Sequence, residues 1–256
     1  MDSLYHHESA ASALDDLLAL RRSIRSFTAE PVPQGAVEDI LRAAGLAPSN
    51  SNTQPWKVDV LMGAGKSRLT QAIMEEHHRN DEMPSAHFPI PLPTENRERQ
   101  MAFGQLFYGT FGIAKGDREA ATRQLATNYD FFGAPVGLIV SIDSSLLKHS
   151  WLDCGIFLQT LMLAAAARGY GTCAQVVFAR HEATIVRELG LPDDRSVVCG
   201  VSLGVPDRDA PINTVSYPRE PVSAFARFEG GSPGVASAGA DPSRFGGPGE
   251  PVRDSR

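Results

Sequence analysis

Cysteine is scarce in this chain. Its three residues of that type, Cys154, Cys173 and Cys199, sit in apolar or glycine-rich surroundings at spacings that match no zinc pattern. An odd number is awkward for a disulfide framework, so reduced thiols are expected. Basic residues are in deficit as well: 24 Lys and Arg against 30 Asp and Glu leave a formal charge of −6. That balance argues against a nucleic-acid partner, and the arginines gather at one locus instead of along a groove. The longest apolar stretch, Leu158 to Ala167, is too short to span a bilayer, and no basic, apolar leader opens the chain. A cytoplasmic protein with no membrane contact is expected. No Gly-rich dinucleotide fingerprint follows a strand, so no Rossmann-type site is expected either. His6-His7 lies near the start, where a frayed, functionally silent pair is the reading.

What remains is ordinary for a packed globular protein, with 42% hydrophobic residues and a length within reach of one large domain or two small ones. Two polar segments stand out. The first, Arg21-Arg22-Ser23-Ile24-Arg25-Ser26-Phe27, puts three guanidiniums and two hydroxyls within seven residues. Guanidinium forks pair bidentately with phosphate oxygens, so this outlines an anion site, although a solvated basic segment is the alternative for such a run alone. The second, Ala47-Pro48-Ser49-Asn50-Ser51-Asn52-Thr53-Gln54-Pro55-Trp56, is a rigid hydrogen-bonding loop between two prolines. Val37, Ile40, Leu41 and Ala44 fall at i, i+3, i+4 and i+7, so an amphipathic helix separates the two.

Leu14, Leu17 and Leu18 give an opening helix with Ser12 as its N-cap, ending near Arg21. Trp56 to Met62 alternates as a strand does, stopped by Gly63 and Gly65, and Leu69 and Ile73 mark a short helix after it. Met83 to Pro93 holds too many prolines for anything but loop. Glu95 to Ala114 and Asp117 to Ala126 read as helices, the second capped by Asp117. Val136 to Ile142 is apolar on both faces, as a buried central strand is. A helix from Trp151 to Ala165, apolar nearly all round, ends at Gly169 and Gly171. A helix over 180–189 and a strand from Val197 to Leu203 follow. From 230 onward Gly, Pro, Ser and Ala dominate, with little to bury, so 230–256 is read as a disordered tail.

The two polar segments together resemble the nitroreductase family of FMN-dependent oxidoreductases, whose chains carry R-R-S-x-R-x-F and then P-S-x-x-N-x-Q-P-W. Both motifs stand here in order and without gaps, and weaker marks at Asn128 to Pro135, Trp151 to Gly155, Thr172 to Gln175 and Arg219 carry the resemblance to about residue 228. The resemblance implies an α+β domain over 1–229, a mixed central sheet flanked by helices on both faces, a helical insertion at about 79–127, and an intertwined homodimer with the long buried helix at its interface. It implies FMN as cofactor, with Arg21, Arg22, Ser23 and Arg219 near the phosphate and ribityl chain and Arg25 beside the pyrimidine edge of the flavin. Pro48, Ser49, Asn52, Gln54, Asn128, Ala174, Gln175 and Val176 would complete the cofactor site, the segment around Ala174 through backbone N–H groups near flavin N5. Family members often carry Pro where this chain has Ala174. Asn50, Ser51, Tyr108 and Phe131 would face the substrate.

The activity so implied is hydride transfer from NAD(P)H to the flavin and then, by a ping-pong sequence, to a nitroaromatic or quinone-like small molecule. No side-chain acid or base with a special pKa is required, and no metal is expected, because the cofactor does the hard step. Cys173 has no cysteine partner and reads as a small packed residue. Other reductions on the same scaffold (enone reduction, dehalogenation, flavin cleavage) and a non-catalytic FMN-binding protein remain as alternatives.

Overall fold

A computed structural model describes residues 8–79 and 91–230. The expectations for His6-His7, for most of the proline-rich loop and for the tail beyond Gly230 lie outside the described residues. The chain divides into two compact units, Leu20–Thr214 and the described parts of Met1–Ala19 with Val215–Arg256. Most of helix α1 (Glu8–Leu20) belongs to the smaller unit, and Ser12 lies inside it, so the expected N-cap is corrected. The helix simply begins earlier than its leucine stripe.

In the larger unit the order is α2 (Gln34–Ala44), β1 (Lys57–Met62), α3 (Gly63–Arg79), α4 (Thr94–Gly109), α5 (Arg118–Ala126), β2 (Val136–Asp143), α6 (Lys148–Ala166), β3 (Gly171–Gln175), α7 (Glu182–Leu189) and β4 (Arg195–Gly204). The strands form one sheet in the order β1-β2-β4-β3, antiparallel at every neighbour. Among the described residues parallel pairing is confined to an isolated bridge between Ser23 and Thr172, so the expected mixed sheet reduces to that one edge contact. β3 is an element that local reading missed. Gly63 ends β1 as expected, but with φ 49° it turns the chain straight into α3, which runs to Arg79.

Strand alternation sorts the core into two layers. Val136, Leu138 and Val140 of β2, with Cys199, Val201 and Leu203 of β4, face α2 and α6. Val37, Ile40 and Ala44, the periodic stripe of α2, and Phe157, Leu161 and Ala165 of α6 fill that side. Ile139 and Val197 face the other way, against Leu69 and Ile73 of α3 and Ile185 of α7. A register shift between Val140 and Ser141 skips Val198, which is how β4 sends Val197 to one layer and Cys199 to the other. Helices therefore cover both faces.

Phe131 and Phe178 stack in the second layer with centroids 4.5 Å apart, over two glycines in the strands. A Cβ on Gly137 would stand 2.6 Å from the Phe131 ring, and one on Gly200 2.4 Å from Phe178, so the rings require bare backbone beneath them. α6 buries one face, but Trp151 and Leu152 on its first turns are 43% and 66% exposed, and the helix is not buried all round in the single chain. In the insertion, Asp117 caps α5 as expected by accepting the Ala120 N–H at 3.0 Å.

Candidate functional site

The arginine segment is stitched along the free edge of β3. Ser23 bridges Thr172, and the Ile24 N–H donates to the Thr172 carbonyl at 2.9 Å. That approach needs Gly171, where a Cβ would meet Ile24 at 2.7 Å. On its other side the segment is held by the chain after β4. The Thr28 N–H donates to Val205 O, the Arg25 N–H to Asn213 Oδ1 at 2.8 Å, and Asn213 Nδ2 to the carbonyls of Ser26 and Asp207, both at 2.8 Å. Ser26 Oγ donates to Asp207 at 3.2 Å. Asn213 thus fixes the backbone on which Arg25 stands, a role invisible in sequence because Arg25 and Ser26 lie 188 and 187 residues away.

The guanidinium of Arg25 lies over two rings of α4, 5.6 Å from the Phe103 centroid and 5.5 Å from that of Phe107. A cation so placed is attracted by the ring faces and loses torsional freedom. Arg22 donates to the Thr214 carbonyl at 3.2 Å. Among the described residues neither Arg22 nor Arg25 forms an ion pair with a carboxylate. Two fixed guanidiniums without internal counter-ions, next to the hydroxyls of Ser23 and Ser26, are a donor set that fits a phosphate or other dianion. A cleft of about 370 Å³ opens beside Arg25 and Ser26, lined also by Thr110, Phe111, Asp130, Phe132 and Pro211.

Burial pushes the Cys173 thiol up even though the charges of Arg25 and Arg21 and a hydrogen bond with Ser23 act the other way. Burial also raises Cys154, to about 11, and Cys199, to about 12. All three cysteines are free and buried, so their thiols are protonated and unreactive at neutral pH.

At the end of β3, Ala174 and Val176 are exposed while Gln175 between them is 3% exposed. The Gln175 amide is fully used inside the protein. Its Nε2 donates to Asn128 O at 2.8 Å and Asn128 Oδ1 at 3.2 Å, and its Oε1 accepts from Ser202 Oγ at 2.5 Å. Asn128 in turn donates through Nδ2 to Leu125 O at 2.9 Å. The side chains of Gln175 and Asn128 tie the 127–133 turn to the sheet, which leaves the backbone of this segment as the part that faces out.

The polar loop is held by α6. Asn50 N–H donates to Asp153 Oδ1 at 3.2 Å, and Trp56 stacks on Phe157 at 4.8 Å. Within the loop Ser49 Oγ accepts from the Gln54 N–H at 2.9 Å, and Gln54 Nε2 donates to Asn52 Oδ1 at 3.1 Å. Ser51, Asn52 and Gln54 all adopt left-handed φ, 50°, 56° and 45°. Pro48, Asn50, Ser51, Asn52 and Gln54 are exposed and Ser49 is half-buried, so the loop's polar groups face outward. Its anchors run to α6, whereas those of the arginine segment run to β3 and to 205–214: each half of the expected cofactor site is fixed separately.

Of the expected substrate residues, Asn50 and Ser51 sit on this loop, and Tyr108 lines a second concavity of about 390 Å³ between α4 and α5. Phe131 lines neither of these two clefts: it is fully buried, with φ 53° turning its ring into the core, and its neighbour Phe132 lines the first of them. Arg219 belongs to the smaller unit, where its guanidinium donates to the carbonyls of Tyr217 and Pro218. Among the described residues no group of three or more His, Cys, Asp or Glu could hold a metal ion, and no helix is long and apolar enough to cross a membrane.

Comparison with known proteins gives consistent matches. Residues 18–205 match the Nitroreductase family. The chain is 47% identical over 216 residues to the 4-nitrobenzoate reductase of Pseudomonas putida, covering 84% of this chain and 95% of that one. It is 39% identical over 218 residues to the nitrobenzene nitroreductase of Ectopseudomonas oleovorans, covering 84% and 96%. Among solved structures, the FMN-dependent nitroreductase NfnB from Mycobacterium smegmatis, crystallised in complex with NADPH, superposes with a TM-score of 0.81 at 32% identity, covering 86% of this chain and 99% of that one.

Proposed function

The chain belongs to the nitroreductase family, and from that premise we propose that it is an NAD(P)H-dependent FMN oxidoreductase that reduces nitroaromatic or quinone-like acceptors by a ping-pong sequence, as a cytoplasmic homodimer. The observation that carries this reading is the pair of guanidiniums, Arg22 and Arg25, fixed at a sheet edge without carboxylate partners. Guanidiniums held at one edge without carboxylate partners are free to pair bidentately with an anion from outside.

FMN, when bound, supplies the two-electron centre that accepts hydride and passes it on. The chain's own residues then have separable tasks. Arg21, Arg22 and Ser23 hold the phosphate. Arg25, kept in place by Asn213 and the rings of Phe103 and Phe107, supplies a fixed positive charge that stabilises negative charge developing in the site. The exposed backbone at Ala174 and Val176 is available to hydrogen-bond a planar ring. Ser49, Asn52 and Gln54, stiffened by Pro48 and Pro55, present side chains to the site of a second copy, and Asn50, Ser51 and Tyr108 meet the acceptor. The uncovered apolar groups of α6, Trp151 and Leu152, and the 85% exposed Leu46 at the end of α2 are the surface such a dimer would bury.

The substrate names of the relatives, 4-nitrobenzoate and nitrobenzene, set the acceptor panel. The purified protein should carry FMN and oxidise NADPH or NADH in the presence of either nitroarene, with a reduced nitrogen product by chromatography. FMN bound without turnover on any nitroarene, quinone or enone would instead identify a carrier.

A further inference from the structure

α6 carries Asp153 and Phe157 four residues apart, on one face of the helix, and each grips one end of the polar loop. Phe157 stacks on Trp56, where the loop closes; Asp153 Oδ1 accepts the Asn50 N–H, where it opens. Between these grips Ser51, Asn52 and Gln54 are all left-handed, a backbone state that side chains with a Cβ disfavour and that persists only when the surroundings impose it.

Asp153 is itself out of place as a packing residue. It is 4% exposed among apolar neighbours on α6, and its second oxygen, Oδ2, is buried with no hydrogen-bond partner among the described residues. A buried carboxylate with unused acceptor capacity is costly, and a leucine or methionine would fill the same volume without that cost. The partner of its other oxygen is the Asn50 N–H of the loop.

We propose that Asp153 is a positioning residue for the cofactor loop: its carboxylate fixes the Asn50 backbone, holds Ser51, Asn52 and Gln54 in their left-handed conformations, and so sets where Ser49, Asn52 and Gln54 present their side chains. The inference rests on the FMN reading for its functional consequence, while the geometric part stands on the loop alone.

The test compares wild type, Asp153→Asn, Asp153→Ala, and Asp153→Ala combined with Ser51→Gly, each as the full chain. FMN affinity is measured by titrating apoprotein, and amide hydrogen exchange is followed over residues 49–54. Asp153→Ala should weaken FMN binding by about tenfold to a hundredfold, the loss of one charge-assisted hydrogen bond, and should raise loop exchange. Asp153→Asn, which keeps an acceptor oxygen, should stay within a few-fold of wild type. Glycine at 51 removes the left-handed penalty and should recover part of the loss. Unchanged affinity and exchange in Asp153→Ala would overturn the proposal, as would a loss that neither asparagine nor the glycine rescue relieves. Should Asp153→Ala fail to fold, Asp153→Leu, which fills the volume but offers no acceptor to Asn50, takes its place: faster exchange over 49–54 supports the proposal, and wild-type exchange overturns it. A wild-type protein that binds no FMN would sink the functional reading, while the exchange comparison would still decide whether Asp153 holds the loop.

Discussion

Replacing Gln175 by leucine separates a structural role from a cofactor contact. The native amide makes three internal hydrogen bonds, two to Asn128 and one from Ser202, at 2.8, 3.2 and 2.5 Å. Leucine fills nearly the same space but strands the Ser202 hydroxyl, in a residue with no exposure, and removes the donor from Asn128. Each buried polar group left unsatisfied costs about 1–3 kcal/mol, so two of them predict a loss of roughly 2–5 kcal/mol. At about 2–4 °C per kcal/mol for a unit of this size, the apoprotein melting temperature should drop by roughly 5–15 °C. Adding Ser202→Ala should return about 1–2 kcal/mol, because the stranded hydroxyl goes with it. Calorimetry or denaturant melts of the two single variants and the double give the coupling. A Gln175→Leu apoprotein that melts with wild type, and loses only FMN affinity, would refute this reasoning and make the Gln175 side chain a cofactor contact.

Three further outcomes are expected. Burial lifts the Tyr129 hydroxyl to about 12, with Arg180 opposing, and the Cys154 and Cys199 thiols to about 11 and 12. In the unfolded chain these groups ionise at about 10 and about 8.5, so above about pH 8.5 the unfolded state releases protons that the folded state keeps. These three groups leave stability level from neutral pH up to that point and make it fall as pH rises toward 12, and Tyr129→Phe should flatten the upper part of the decline in pH-dependent melts. Arg25→Ala should lower the flavin midpoint potential at saturating FMN. Arg22→Ala, by contrast, should weaken FMN by about one to two decades and leave the potential of the bound flavin nearly unchanged; spectroelectrochemical titration with equal shifts in both would contradict the division of roles. Removing 231–256, whose sequence holds almost no large apolar residue, should leave FMN content and turnover intact, checked by activity per bound flavin.

The parts of the fold that could be read from sequence are those governed by local periodicity. The stripe of α2, the continuous apolar run of β2 and the Asp117 cap each depend on residues within two turns of one another, and each stands in the structure. β3 was missed because its five residues, Gly-Thr-Cys-Ala-Gln, carry little strand character and acquire it only by pairing with β4 and with Ser23. The arginine segment and polar loop were legible as polar clusters, but the groups that hold them were not: Asn213 and Asp153 act across sequence separations of 188 and 103 residues. The side-chain directions of three expected site residues were not legible either. Asn128, Phe131 and Gln175 lie in or beside segments that carry the family resemblance, yet a left-handed turn buries the Phe131 ring and an amide network engages Gln175 with the half-buried Asn128. Adjacency to a motif says where a backbone runs and not which way a side chain points.

The central claim is that one flavin site serves a nicotinamide and a nitroarene in alternation, and the two half-reactions can be observed apart. Under anaerobic conditions one equivalent of NADPH, or of NADH, should bleach the bound flavin, and adding 4-nitrobenzoate or nitrobenzene to the separated, reduced protein should restore its colour at a rate no slower than steady-state turnover. Colour that returns only while nicotinamide remains bound, or that no nitroarene restores at that rate, would contradict the account.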